Sequence, residues 1–109
     1  MNKVYILQDN PYSPKNFTPA DEYGELIVIF NHHISSMQIP RCLSQLRDKL
    51  RGVSQDDWLI PVGHPALILV AGHVWFDMTS QLNVLVWDQQ SGKYVPLRMN
   101  SHGPSQSDN

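Results

Sequence analysis

The five histidines are the residues of this sequence best suited to metal binding or acid–base chemistry, because imidazole is a common metal ligand and titrates near neutral pH. They are His32, His33, His64, His73 and His102. None forms the i, i+4 helical pair of a zincin-type site, and His64 and His73 are nine residues apart, on different turns of one helix. We expect no metal and no cofactor. His73 has apolar neighbours and is expected to be a hydrogen-bonded core histidine.

One cysteine and two acidic pairs are the other candidates for catalysis. Cys42 lies on an apolar helix stripe, where burial raises a thiol pKa, so we interpret it as a core residue. Asp21-Glu22 and Asp56-Asp57 are adjacent residues whose side chains diverge on a turn, and capping explains the second pair. The sequence has no Gly-rich phosphate loop and no nucleophile elbow. We therefore expect no catalytic residues and a protein that is not an enzyme.

Two groups of residues are better suited to binding than to catalysis. Half of all basic residues fall within eleven positions of one predicted helix and could follow a phosphate backbone, although a solvated helix face explains them as well. They are Arg41, Arg47, Lys49 and Arg51. The second group surrounds a predicted hairpin turn, where aromatic rings with polar atoms are typical interface anchors. It consists of Trp87, Asp88, Lys93 and Tyr94.

Length and composition describe one globular domain. The chain has 109 residues, of which 41% are hydrophobic and 17% charged. A net charge of −2 gives no general attraction to nucleic acid or to an anionic membrane. The apolar run at 65–76 is shorter than the roughly 20 residues of a membrane span. With a single cysteine and no signal-peptide pattern, we expect a cytoplasmic protein.

Local patterns predict two strands and a helix in the first half of the chain. Residues 3–8 are rich in Val, Tyr, Ile and Leu, which favours a strand. Residues 25–30 form a continuous apolar run, which predicts a central strand buried on both faces. Apolar residues at helical spacing predict a helix over 39–50, with Pro40 in its first turn.

The second half holds a helix and a hairpin. Ser54 to Asp57 has capping-box spacing, or else forms only a turn leading into Trp58 to Ile60. His64 and Pro65 predict an N-cap and a first-turn proline for a helix over 65–78, with a strand at Leu67 to Val70 as the rival interpretation.

The last strand pair completes an α+β domain. Alternating residues predict a hairpin of 82–87 and 93–99, in which Pro96 marks an edge strand or a bulge. Leu82, Val84 and Val86 share one face, and Leu85 and Trp87 share the other. The predicted order is β-β-α-α-β-β: about four strands with two helices on one face. We expect one domain over 1–99, a flexible polar tail over 100–109, and core positions for at least two of the three tryptophans.

Two segments carry a family resemblance. Asp56-Asp57-Trp58-Leu59-Ile60-Pro61-Val62-Gly63-His64-Pro65 resembles an acidic-acidic-aromatic-Leu-Leu-Pro-x-Gly-Asp-Pro pattern. Leu85-Val86-Trp87-Asp88-Gln89, followed by Tyr94-Val95-Pro96, resembles a Leu-Lys-Trp-Asp-Arg…Tyr-x-Pro pattern. Both occur in small tailed-phage proteins, especially of marine phages, that have no assigned activity. This chain differs from the pattern at His64, Val86 and Gln89, where the family has Asp, Lys and Arg.

The resemblance implies a viral source, and hence the host cytoplasm as the compartment. We expect a non-enzymatic accessory protein that works as a protein-interaction module, regulating or inhibiting a host or viral machine. A homodimer is a further hypothesis, and the edge arm at Lys93–Met99 could pair with a strand of a partner. Nucleic-acid binding through the basic helix at 40–51 is the alternative function, and no membrane partner is expected.

Overall fold

A single mixed sheet organises the molecule. The computed structural model describes residues 2–10, 12 and 15–104, and within them six strands lie in the order β2-β1-β3-β4-β5-β6. The strands are β1 Lys3–Gln8, β2 Glu25–Phe30, β3 Trp58–Ile60, β4 Leu82–Asp88, β5 Lys93–Asn100 and β6 Gly103–Pro104. β1 to β4 are parallel, whereas β5 and β6 are antiparallel to their neighbours. In the same part of the chain, no helix is both long and apolar enough to cross a membrane.

The two faces of the sheet are covered by different elements. Helices α1 (Ile39–Lys49) and α2 (Pro65–Thr79) pack together on one face, against alternate residues of the strands such as Leu7 and Leu59. The 3-10 helix Thr18–Tyr23 covers the opposite face. The structure confirms a small α+β domain with both α-helices on one face, but it has more strands than the predicted four.

The additional internal strand is β3, and its entry is a turn rather than a helix start. The Asp57 carboxylate accepts hydrogen bonds from the backbone N–H of Ser54 (2.9 Å) and of Lys3 (2.9 Å), which joins the turn to the start of β1. The turn alternative for Ser54 to Asp57 is therefore correct and the capping box is wrong. A three-residue strand is too short for a period of two to be visible in sequence.

β2 lies at the edge of the sheet, so its predicted central position is wrong. The side chain of Val28 is 41% exposed. The continuous apolar run arises because α1 covers one face and residues such as Leu26 pack on the other. Lys49 of α1 donates a hydrogen bond to the carbonyl oxygen of Ile29 (2.7 Å) and lies over the ring of Phe30, and a charge at an open edge opposes pairing with another strand.

Several core predictions can be compared directly with burial. Trp58 and Trp75 are buried, whereas Trp87 is 44% exposed, as expected for at least two core tryptophans. Cys42 is buried, and burial raises the pKa of its thiol. His73 is exposed, so its predicted core position is wrong, because it lies on the outer side of α2, away from the sheet.

The hairpin is confirmed as β4 and β5, with Val84 and Leu85 in the cores on opposite faces. Pro96 lies on β5, whose far side pairs only with β6, at Met99 and Asn100, among the described residues. The polar tail thus starts later than Asn100, since the chain returns to the sheet at Gly103–Pro104. Residues 105–109 lie outside the described residues, and their predicted flexibility stays a prediction.

Candidate binding site at the carboxyl ends of the strands

The strand order creates a crevice at one end of the sheet. The chain leaves β1 toward the face of the 3-10 helix Thr18–Tyr23, but leaves the neighbouring β3 toward the face of α2. Where adjacent parallel strands send their connections to opposite faces, the loops separate and leave a crevice, the usual ligand site of open α/β sheets. The structure has a cavity of about 360 Å³ at this point.

We call this cavity the carboxyl-end crevice. Its walls come from the residues that follow three parallel strands, together with one loop. They are Gln8 at the end of β1, Asp9 and Asn10 after it, His33 and Ile34 after β2, Val62, Gly63 and His64 after β3, and Lys15 and Phe17 from the loop between β1 and the 3-10 helix. The crevice therefore combines polar side chains with an apolar wall.

Gln8 fixes the floor of the crevice. Its buried side chain accepts a hydrogen bond from the backbone N–H of His64 (2.9 Å) and donates one to the carbonyl oxygen of His32 (2.9 Å). One side chain thus connects the loops that follow β1, β2 and β3. Gly63 lies beside it with a φ of +130°, and a Cβ there would overlap with the Gln8 side chain.

His64 is the N-cap of α2, as predicted, and its hydrogen bonds define its tautomer. Nδ1 accepts from the backbone N–H of Ala66 (3.0 Å), so it carries no proton. The proton therefore lies on Nε2, which donates to Oγ of Ser36 (3.1 Å). Since both ring nitrogens are engaged in holding the start of α2, we assign His64 a structural role.

Asp9 is the polar group of the crevice that lacks a partner among the described residues. Its backbone N–H donates to the carbonyl oxygen of Phe30 (2.9 Å), which anchors the residue at the end of β1. Its side-chain Oδ1 is buried and accepts no hydrogen bond from the part of the chain that the structure describes. Buried polar atoms are normally satisfied, so an orphaned carboxylate oxygen in a cavity is a feature to explain.

A second cavity, of about 450 Å³, adjoins the crevice, and we call it the hairpin groove. It is lined by the loop after β3, by the hairpin and by the loop before the 3-10 helix Thr18–Tyr23. The lining includes Phe17, Ile60, Val62, Leu85, Trp87 and Tyr94. Lys15, Phe17 and Val62 line both cavities, so the two lie next to each other.

The structure brings together two of the four predicted partner-binding residues in this groove. The rings of Trp87 and Tyr94 meet edge-to-face, with centroids 5.1 Å apart. Asp88 instead shapes the hairpin turn, because its carboxylate accepts from Oγ of Ser91 (2.7 Å) and from the backbone N–H of Gln90 and Ser91. The Ser91 hydroxyl, more than these backbone groups, lowers the pKa of Asp88. Lys93 is exposed opposite Asp88 in the hairpin register.

The predicted nucleic-acid-binding residues lie on α1 and just after it, and most of them contact other parts of the chain. Arg47 forms an ion pair with Asp77 of α2 (3.0 Å), and Arg51 forms one with Asp48 (2.8 Å). Lys49 is held at the edge of β2. Arg41 is exposed.

Comparison with known proteins decides the family. The sequence model of the phage Pam3 gp32-like proteins matches residues 2–101, nearly the whole chain. The chain belongs to this family. The predicted resemblance to small phage proteins is thus confirmed, and the matched region contains every residue that lines the crevice and the groove. No curated protein and no solved structure matches the chain.

Within the described residues of this phage-family chain, no three His, Cys, Asp or Glu side chains are grouped as a metal site requires. The residues that sequence analysis missed are those of the carboxyl-end crevice, above all Gln8 and Asp9. In the sequence, Gln8-Asp9-Asn10 shows only the end of a strand and the start of a loop. The signal that could have identified these residues is strand topology, because parallel neighbours bring the carboxyl ends of β1 and β3 to the same edge of the sheet.

Proposed function

We propose that this phage-family protein acts by binding rather than by catalysis, as a protein-interaction module that holds a segment of a host or viral protein in the hairpin groove. The observation that carries the proposal is an exposed tryptophan above an apolar groove. Trp87 is 44% exposed, while Phe17, Ile60 and Leu85 beneath it are buried. Tryptophan is the residue most enriched among interface positions that dominate binding energy.

The aromatic pair at the groove is held in place before a partner arrives. Trp87 and Tyr94 lie opposite each other in the β4–β5 register and pack edge-to-face at an angle of 72°. The Tyr23 hydroxyl donates to the carbonyl oxygen of Tyr94 (3.4 Å), which links β5 to the 3-10 helix Thr18–Tyr23. A rigid aromatic anchor loses little conformational entropy on binding, so more of its contact energy becomes affinity.

The composition of the groove indicates what it accommodates. Among its described lining residues Lys15 carries the single formal charge, and the other contacts come from aromatic, aliphatic and amide groups. An apolar side chain placed there would leave water without burying an unpaired charge. The proposed occupant is therefore an apolar residue of a partner protein, supplied by an exposed segment.

The contacts of the basic helix give less support to nucleic-acid binding. Arg47, Lys49 and Arg51 already bond to Asp77, the Ile29 carbonyl and Asp48, so a phosphate would have to displace these partners. The structure also gives little support to pairing of the β5 edge with a strand of a second copy. Pro96 has no backbone N–H to donate, and β6 occupies Met99 and Asn100.

Site-specific photocrosslinking tests this proposal. A photoreactive amino acid at Gln89, which is exposed at the groove, is introduced into the full chain and activated in infected host cells. We expect a discrete crosslinked protein species that survives nuclease and disappears in the Trp87→Ala variant. The matched control is the same photoreactive group at Leu69, which is 76% exposed on α2, on the other side of the sheet.

Three outcomes would contradict the proposal. Equal crosslinking from positions 89 and 69 would show nonspecific contact. Loss of the products after nuclease treatment and in an Arg41→Ala variant would show that the protein binds nucleic acid instead. A crosslinked product with twice the mass of the chain would show that the occupant is a second copy. Circular dichroism of Trp87→Ala establishes that the variant is folded.

A further inference from the structure

We propose that the carboxyl-end crevice receives a basic side chain, preferably arginine, from the same partner segment whose apolar residue occupies the hairpin groove. This inference rests on the proposed function and names the second recognition element of the site. It is carried by the Asp9 oxygen, which is buried without a partner among the described residues, and by the adjacency of the two cavities.

Asp9 supplies the acceptor. Its Oδ1 is buried without a partner in the part of the chain that the structure describes, although a buried acceptor left unsatisfied costs about 1–3 kcal/mol. Two polar side chains of the crevice are already engaged elsewhere. Gln8 bonds to His64 and His32, and both ring nitrogens of His64 are engaged. A donor supplied by a bound partner would satisfy this oxygen.

The location of Asp9 favours a ligand that reaches it from the groove. The crevice and the groove share the lining residues Lys15, Phe17 and Val62, so the two cavities lie side by side. A segment with an apolar residue in the groove therefore carries an adjacent side chain toward the crevice. That side chain must be long enough to reach a buried carboxylate oxygen at the end of β1, and both arginine and lysine are.

Charge and geometry favour arginine over other donors. A guanidinium presents a planar set of N–H groups that matches a carboxylate, and such charge-assisted hydrogen bonds are about twice as strong as neutral ones. The long apolar stem of arginine can also pack along Phe17 and Ile34, which form the apolar wall of the crevice.

Lys15 provides the strongest counter-hypothesis. It lines both cavities and is exposed, so a partner carboxylate could bind there instead. The two hypotheses predict opposite peptide preferences and opposite sensitivities to mutation, which makes them separable. Asp9→Asn keeps the shape of the side chain and removes its charge, and Lys15→Gln removes the charge of the rival group.

The test uses an immobilised array of heptapeptides as the probe. Each peptide carries Trp, Leu or Phe at one position and Arg, citrulline or Glu at a second position of varied spacing. Citrulline matches arginine in shape but has no charge. We expect the wild-type chain to retain Arg peptides about tenfold better than their citrulline counterparts, the effect of one charge-assisted hydrogen bond. Asp9→Asn should lose this preference while still selecting the apolar residue.

The outcomes separate this inference from the proposed function. Peptides retained through Trp87 but without preference for Arg over citrulline would overturn the basic-residue inference alone. Preference for Glu, lost in Lys15→Gln and kept in Asp9→Asn, would assign the crevice to an acidic residue instead. If the Trp87→Ala variant retains every peptide as well as the wild type does, both proposals fail. Thermal unfolding of each variant shows whether the fold is retained.

Discussion

The glycine at the floor of the carboxyl-end crevice shows how one residue ties the fold to the site. Gly63 has a φ of +130°, a region that residues with a Cβ rarely adopt, and its missing side chain leaves room for Gln8. Gln8 in turn joins the loops after three strands. The shape of the crevice therefore depends on the absence of one Cβ atom.

The variant Gly63→Ala should lower the free energy of unfolding by about 2–4 kcal/mol, from backbone strain and from displacement of the two Gln8 hydrogen bonds. Urea denaturation measures the change. The matched control is Gly52→Ala, because Gly52 also has a positive φ, of +86°, but a methyl group added there would meet no described atom within 4 Å. Gly52→Ala should lower the free energy of unfolding by less, about 1–2 kcal/mol. Equal losses would show that the Gln8 contact contributes nothing.

Among the elements, α2 contains a position where glycine serves no visible structural need. Gly72 lies inside the helix, and a Cβ there would meet no described atom within 4 Å. Glycine in a helix interior is less favourable than alanine, by about 0.5–1 kcal/mol. Gly72→Ala should therefore stabilise the protein by about that amount in urea denaturation. An unchanged or lower stability would indicate that α2 departs from a regular helix at Gly72.

The same elements show which parts of the fold are visible in sequence. The start of α2 at His64-Pro65 and the β4–β5 hairpin are defined by neighbouring residues, so local patterns predict them. β3 pairs with β1, more than fifty positions earlier in the chain, and is only three residues long. Its place in the sheet is set by tertiary pairing, which local patterns do not encode.

The candidate site likewise has one part that local sequence patterns predict and one part that they do not. Trp87 and Tyr94 are adjacent through a short hairpin, so their residue types are enough to predict a binding surface. Asp9 becomes part of a site only because β1 and β3 are parallel neighbours whose connections leave on opposite faces. Asp9 can therefore be recognised as a site residue only once the strand order is known.

At the scale of the whole molecule, the two ends of the sheet differ in character. At the amino end of the parallel strands, buried Asn83 donates to the carbonyl oxygens of Gln55 (2.6 Å) and Asp57 (3.1 Å), and Asp57 accepts from Lys3. These polar groups are satisfied within the chain. The carboxyl end instead has two adjacent cavities and the Asp9 oxygen, which has no partner among the described residues. The two ends thus differ in whether their buried polar groups find partners within the described part of the chain.

Burial of ionisable groups in both cores makes the whole fold sensitive to alkali. Burial raises the pKa of Tyr5, with smaller contributions from the charges of Asp57 and Glu25, and it also raises the pKa of Tyr94 and of Cys42. In the unfolded chain, thiol and phenol groups start to lose protons at about pH 9, whereas the folded chain retains them. The unfolded state then binds fewer protons, so stability falls as pH rises. Urea denaturation should show this decline between about pH 9 and about pH 11.

The contribution of one phenol to this decline can be isolated at the centre of the sheet. Tyr5→Phe keeps the ring that packs edge-to-face on Trp75 at 5.8 Å and removes the titrating hydroxyl. Its unfolding free energy should therefore fall less steeply with pH than that of the wild type. Tyr12→Phe is the control, since Tyr12 is 87% exposed, and it should follow the wild-type curve. Parallel curves for wild type and Tyr5→Phe would mean that the phenol of Tyr5 ionises equally well in the folded and unfolded chains. The alkaline loss would then belong to Cys42, Tyr23 and Tyr94, whose pKa values burial also raises.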